Sequence, residues 1–77
     1  MQTNKLKLLS RRHRQIALLL VGRQNKDVAA ELGLSPFTIT HHLHIIYART
    51  GLSRTELVVE AERYRVEQSN QPNAPIS

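Results

Sequence analysis

Residues 25–40 read NKDVAAELGLSPFTIT, and this stretch decides the fold. Within it, Ala29, Gly33 and Ile39 are separated by four and six residues. A helix-turn-helix needs a small residue where the second helix packs on the first, a glycine in the left-handed turn and a β-branched residue between the helices. The spacing therefore predicts two helices joined by a tight turn. A helical hairpin with no role in nucleic-acid binding is the alternative.

The second helix of this pair is predicted to begin at Ser35 and Pro36, because serine is a favoured N-cap and proline is favoured at the first helical position. Gly51 is expected to end it. Between these residues the side chains repeat with the helical period, so that an inner row faces the core and an outer row faces solvent. The inner row is Ile39, Leu43, Ile46 and Thr50, and the outer row is Phe37, Thr40, His41, His44 and Ala48.

Cap residues predict the remaining helices. Ser10 is expected to cap a first helix that runs to Gly22, and Asn25 to cap a short second helix. Ser53 is expected to cap a fourth helix, with Glu56 three residues later completing a capping box. No strand is needed, so the fold class is predicted to be all-α, with four helices forming a tetrahelical helix-turn-helix domain.

The domain is expected to span residues 9–67. Residues 1–8 are polar and basic with no periodicity, and residues 68–77 form a polar segment. We expect the first to be a flexible arm or linker and the second a disordered tail.

The composition narrows the possible functions. A chain of 77 residues has room for one small domain, and without cysteine it can have neither a disulfide framework nor a thiolate metal site. The longest apolar run, residues 16–21, is too short to span a membrane, and no signal peptide is apparent. We therefore expect a cytoplasmic protein.

The charge is unevenly distributed. The chain has 11 Lys and Arg against 6 Asp and Glu, a net charge of +5, which favours binding to polyanions. Residues 1–23 carry six of the basic residues and no acid, whereas residues 55–77 carry four Glu against two Arg. A nucleic-acid surface is thus expected in the first two thirds of the chain, and the last third is expected to face solvent or a protein partner.

The chain resembles the LuxR-type helix-turn-helix family from Leu9 to about Ala61. The resemblance is carried by residues 25–40, by the run Arg54-Thr55-Glu56-Leu57, and by His42, Ile46, Tyr47, Arg49 and Gly51. It implies a sequence-specific transcription regulator, or the output domain of one, whose third helix (about residues 36–50) enters the major groove of double-stranded DNA. It also implies a homodimer on an inverted repeat, formed through the last helix, and RNA polymerase as a further candidate partner.

Three positions depart from the pattern of that family. Arg12 or His13 stands where members usually carry a glutamate in the first turn, and Thr40 replaces the usual basic residue. Thr50 replaces a leucine on the core row. We expect this threonine either to destabilise the fold slightly or to donate its hydroxyl to the carbonyl four residues earlier.

Candidate DNA contacts follow from the outward face of the third helix. Thr40, His41 and His44 are the predicted base contacts, since hydroxyl and imidazole groups can reach base edges. The predicted phosphate contacts are Lys26, Thr38, Arg49 and Arg54, with Arg11, Arg12 and Arg14 adding diffuse charge. Solvated polar and charged side chains are the alternative for each of these positions.

Metal and enzyme chemistry are not expected. His41 and His44 share a face at i, i+3, but a structural zinc site needs four protein ligands. No catalytic residues are assigned, since the chain has neither a Ser/His/Asp arrangement suited to a cleft nor a glycine-rich phosphate loop. We therefore expect no enzyme activity, no metal and no cofactor.

The fourth helix carries the predicted dimer interface. Its apolar stripe is Leu57, Val58, Ala61 and Tyr64. The alternative function is a protein-interaction module that pairs through this helix with another regulator, its DNA surface being vestigial. The promoter-reading segment of a sigma factor is disfavoured by the Arg54-Thr55-Glu56-Leu57 match.

Overall fold

The computed structural model describes residues 4–69, and over this range it confirms the all-α fold class, with four α-helices and no strand. A short 3₁₀ helix precedes them. In chain order the elements are the 3₁₀ helix Lys5–Leu8, α1 (Arg11–Leu19), α2 (Asn25–Leu32), α3 (Pro36–Thr50) and α4 (Arg54–Ser69).

The turn between α2 and α3 has the predicted geometry. Gly33 ends α2 in the left-handed conformation, with φ of 69°, which costs an L-residue with a side chain about 1–2 kcal/mol. Leu34 N donates to Ala29 O at 2.9 Å and closes the end of α2. Ser35 Oγ then accepts from Thr38 N at 3.2 Å, so α3 begins with the predicted serine cap.

Of the three other predicted caps, two are confirmed and one is shifted. Ser10 caps α1 as predicted, since its Oγ accepts from His13 N at 3.2 Å. Ser53 and Glu56 form the predicted capping box of α4: Glu56 N donates to Ser53 Oγ at 3.2 Å, and Ser53 N donates to Glu56 Oε1 at 2.9 Å. In α2 the cap lies one residue earlier than predicted, at Gln24, whose N–H donates to Asp27 Oδ2 at 3.0 Å. α1 is also shorter than predicted and ends at Leu19.

The core lies between α1, α3 and α4, and α2 packs against α3. α1 contacts both α3 and α4 and so covers the core between them. The buried apolar residues are Leu6, Leu9, Ile16, Ala17, Leu20, Val28, Ala29, Ile39, Leu43, Ile46, Leu57 and Ala61.

The expectation of a flexible segment over residues 1–8 is wrong for residues 4–8. Leu6, in the 3₁₀ helix, is 0% exposed and belongs to the core. Asn4 holds this helix in place, since its Oδ1 accepts from Leu6 N at 2.9 Å and its Nδ2 donates to Glu60 O at 3.0 Å. A small domain buries little surface, so it uses an apolar residue of its N-terminal segment to close the gap against α3 and α4. Residues 1–3 lie outside the described residues.

The structure places half of the predicted α4 dimer stripe inside the core of the domain. Leu57 and Ala61 are 0% exposed, and Val58 and Tyr64 are half-buried against the same core. α4 packs against α1 and against the 3₁₀ helix, so this side of α4 lies in the interior of the domain. Gln68 and Ser69, predicted to lie in the tail, belong to α4, and the tail from residue 70 onward lies outside the described residues.

Candidate nucleic-acid interface

α3 divides its side chains between the core and the surface as its period requires. Ile39, Leu43 and Ile46 are buried, whereas Thr40, His41 and His44 are exposed. The three predicted base contacts therefore lie on the solvent-exposed side of α3, and the opposite side of this helix packs against the core. Such a helix can approach a groove as a rigid body.

Phe37 is a feature of this surface to which sequence reasoning assigned no role. It is 88% exposed, the largest exposed fraction among the large apolar side chains of residues 4–69. It precedes His41 and His44 by four and seven residues, so the three side chains share one face of α3. Its place in the outer row was the signal in the sequence that could have identified it.

The predicted phosphate contacts lie on three helices. Lys26 is exposed in the first turn of α2, and Arg54 is exposed at the start of α4. Thr38 is half-buried in the first turn of α3, where its Oγ1 lies 3.0 Å from Ser35 Oγ. Arg49 is exposed near the end of α3.

A hydrogen bond joins two of these helix ends. Arg54 Nη1 donates to Asn25 Oδ1 at 2.7 Å, across 29 residues of chain. Asn25 is the first residue of α2 and Lys26 is the second, so the bond places two cations beside the amino-terminal end of α2. Free N–H groups at a helix N-terminus attract a phosphate, and neighbouring cations strengthen that attraction.

The sequence suggested that Arg14 adds diffuse positive charge to the DNA surface, but its guanidinium makes contacts within the domain. Its Nε and Nη2 donate to the carbonyl oxygens of Leu6 and Leu9, at 3.3 and 3.2 Å. Its guanidinium also lies 5.7 Å from the centre of the Tyr64 ring. Arg14 thus ties the N-terminal segment and α4 to α1, while Arg11 and Arg12 stay exposed.

His13 lies in the first turn of α1, and either it or Arg12 stands where members of the family usually carry a glutamate. Its Nε2 lies 3.0 Å from Nδ1 of His42 on α3, within hydrogen-bond distance. Burial is the main cause that lowers the pKa of His13, and the charges of His42, Arg49 and His41 lower it further. A pair of imidazoles therefore joins α1 to the helix that carries the candidate base contacts.

The described residues show neither a cluster of metal ligands nor a membrane-spanning helix. Over residues 4–69, no three or more His, Cys, Asp and Glu side chains are placed to hold a metal ion. None of the helices in that range combines the length and the apolar character needed to cross a membrane.

Comparison with known proteins gives the family of the chain. The sequence model of the bacterial regulatory proteins of the luxR family (GerE) matches residues 7–61. Two proteins named "Putative HTH-type transcriptional regulator", one from Mycobacterium tuberculosis (strain H37Rv) and one from Mycobacterium bovis, are each 47% identical to the chain over 49 residues. That alignment covers 62% of this chain and 6% of each relative, so the chain spans a small part of their length. No solved structure shows a significant match. The helix-turn-helix geometry and the family match together lead to one conclusion: the chain belongs to the luxR family of bacterial regulatory proteins.

Proposed function

We propose that the chain is a sequence-specific DNA-binding domain of a transcription regulator, with α3 as the recognition helix in the major groove of double-stranded DNA. The observation that carries the proposal is the exposed row of Phe37, His41 and His44 on a helix whose other side is buried. The names of the two mycobacterial relatives agree with this function. Bacterial DNA lies in the cytoplasm, so that is where the domain would act.

The side chains of this row suit base edges. An imidazole N–H can donate to the N7 or O6 atom of guanine, so His41 and His44 are candidate guanine readers. The methyl group of Thr40 and the ring of Phe37 can contact the methyl group of thymine. Because the row has no Arg, Lys, Asn or Gln, its discrimination at each base pair should fall below the ~1–3 kcal/mol of a bidentate contact.

The phosphate contacts would hold the domain in register. Lys26 and Arg54 flank the amino-terminal end of α2, where the Arg54–Asn25 bond keeps them together. Thr38 would donate its hydroxyl at the start of α3, and Arg49 would reach the backbone beyond the other end of that helix. These contacts position the protein on any DNA sequence, whereas the α3 row selects among sequences.

The homodimer on DNA is proposed to form through the outward side of α4. Val59 and Val66 are each 48% exposed and lie seven residues apart, two turns along one face. Glu62, Arg63 and Glu67 line the same shallow surface depression as the two valines. A two-fold axis brings the same patch of both copies together, so the valines of one copy would pack on those of the other while Arg63 meets a glutamate. RNA polymerase would then meet surfaces that DNA and the second copy leave free.

The test begins with selection of binding sites for the full chain from a random duplex library. Affinity for the selected duplex and for a scrambled duplex is then measured from 50 to 200 mM salt. Each phosphate contact contributes about −0.9 to the logarithmic salt slope, so contacts from Lys26, Arg49 and Arg54 alone predict a loss of about 40-fold per protein copy over that range. Selection of no sequence, or binding that does not depend on salt, would contradict the proposal and favour a protein-interaction module.

A further inference from the structure

Two titratable side chains form a direct link between α1 and α3. His13 Nε2 lies 3.0 Å from His42 Nδ1, and the rings meet edge to face, with their centres 5.0 Å apart and their planes at 61°. Both side chains are half-buried. A hydrogen bond of this kind needs a proton on one of the facing nitrogens and a lone pair on the other.

The hydrogen bond between the two rings remains when the neutral pair takes up one proton, and it breaks when the pair takes up two. In the neutral pair, one facing nitrogen donates and the other accepts. One more proton converts the donor ring into an imidazolium, which still donates to the neutral ring. A second proton places N–H groups on both facing nitrogens, so no acceptor is left and two positive charges face each other across the contact.

The surroundings of the pair oppose its protonation. The first turn of α1 contains Arg11 and Arg12 and no acidic residue. Among the described residues, the groups whose charges act on His13 all lie on α3, and they are His42, Arg49 and His41. None of them is a carboxylate that could compensate a second positive charge.

We propose that the His13–His42 pair is a proton-sensitive link that positions the recognition helix. In neutral solution the bond holds α3 against the start of α1, and in acid the doubly protonated pair releases it. His42 is adjacent to His41 in the chain, so the link acts directly beside a candidate base contact. This last consequence rests on the proposed function, whereas the link itself does not.

The direction of the pH effect follows from the protonation of His13. Its pKa in the folded protein is lowered below the usual histidine value of 6.5, so the unfolded chain binds more protons in the window below that value. The stabilisation of the folded state is therefore fully present above about pH 6.5 and decreases as the pH falls through the folded pKa of His13. The hydrogen bond itself breaks when the second imidazole also takes up a proton.

The free protein provides the first test, with no DNA present. The unfolding equilibrium constant of the full chain is measured in urea between pH 8 and pH 5, for the wild type and for His13→Gln, whose amide can replace Nε2 without titrating. We expect the wild-type constant to rise in acid by up to about tenfold per pH unit, and the rise to be smaller in His13→Gln. His44→Gln, which removes an exposed imidazole from the same helix, should retain the wild-type profile. Identical profiles for wild type and His13→Gln would overturn the link.

A second measurement remains decisive if His13→Gln fails to fold. The titration of the His13 ring in the wild type and in His42→Asn is followed by NMR, since asparagine places a non-titrating group at the position of Nδ1. Removal of the His42 charge should move the midpoint of His13 upward. An unchanged midpoint would overturn the proposal.

Affinity for the selected duplex, measured at pH 7.5 and 5.5, separates this inference from the proposed function. We expect His13→Gln to lose less affinity in acid than the wild type. If both proteins bind DNA with the same pH dependence, the link does not position the recognition helix, although the DNA-binding function stands. If neither binds DNA at either pH while the unfolding profiles differ as expected, the function fails and the link between α1 and α3 stands.

Discussion

The hydroxyl of Thr50 donates a hydrogen bond to the carbonyl oxygen of Ile46, one turn earlier in α3, at 2.8 Å. The same Oγ1 accepts from Leu52 N at 3.3 Å, beyond the end of the helix. Thr50 is buried, so both bonds satisfy groups that solvent does not reach easily. We expected this threonine either to destabilise the fold slightly or to donate its hydroxyl to the carbonyl four residues earlier. The structure shows the second arrangement.

Replacement of Thr50 by valine is expected to destabilise the protein. The change keeps the shape of the side chain but leaves Leu52 N–H without its acceptor, so the free energy of unfolding should fall by about 1–2 kcal/mol. Urea unfolding of Thr50→Val measures this loss. Thr55→Val, the same change at an exposed position of α4, should differ from the wild type by less than about 0.5 kcal/mol. A Thr50→Val protein as stable as the wild type would show that the hydroxyl contributes nothing.

Truncation of Leu6 tests whether the N-terminal segment belongs to the folded domain. Leu6 is fully buried, so Leu6→Ala should lower the free energy of unfolding by about 2–5 kcal/mol, through lost burial and the cavity left behind. Leu8 is exposed in the same 3₁₀ helix, and Leu8→Ala is the matched control, with an expected change below about 0.5 kcal/mol. Equal stabilities of the two variants, measured by chemical denaturation, would mean that residues 4–8 do not pack on the core.

Substitutions on α3 and α2 should separate base contacts from phosphate contacts. His41→Ala and His44→Ala are expected to change which duplexes are preferred, because they remove donors from the candidate reading face. Lys26→Ala should weaken binding to all duplexes about equally and reduce the salt slope by about 1. Titrations on the selected and scrambled duplexes distinguish these effects. Equal losses on both duplexes for the two histidine variants would exclude them as base readers.

The outward side of α4 is tested by Val59→Glu and Val66→Glu. Each places a charge in the proposed dimer contact without entering the core, so half-site binding and thermal stability should change little while cooperative occupancy of a full site is lost. Leu8→Glu adds the same charge at an exposed apolar position outside α4 and controls for repulsion from DNA. Val58→Glu should instead unfold the domain, because Val58 packs against the core. Cooperative binding by both outward variants would place the dimer contact elsewhere.

The α4 capping box should make stability depend on pH in the acid range. Hydrogen bonds from the backbone N–H and the side chain of Ser53 lower the pKa of Glu56 below the usual glutamate value of 4.5. The stabilisation is therefore present above about that pH and is lost as the pH falls through the folded pKa of Glu56. The advantage of the wild type over Glu56→Gln, measured by urea unfolding, should be greatest near neutral pH and shrink below pH ~4.5. Glu67→Gln, at an exposed site in the last turns of α4, should show no comparable trend. If the wild type exceeds Glu56→Gln in free energy of unfolding by the same amount at every pH, the capping role is contradicted.

Local chemistry accounts for the features that could be predicted from the sequence. Left-handed glycines end α2 and α3 at Gly33 and Gly51, and Ser35 caps α3 before its first-turn proline. These signals act over one helical turn, so they can be read without knowledge of the rest of the fold. The period of α3 likewise separates its buried row from its exposed row, because only one side of that helix is continuously apolar.

Tertiary structure decided the features that depend on contacts between distant parts of the chain. α4 has apolar residues on two sides, Leu57 and Ala61 on one and Val59 and Val66 on the other, and helical period alone does not say which side meets α1. The burial of Leu6 and the pairing of His13 with His42 depend in the same way on where separate helices come to lie. Sequence thus determined the helices and the turn, because caps and periods are local, whereas helix packing determined which surfaces are core and which remain free to bind.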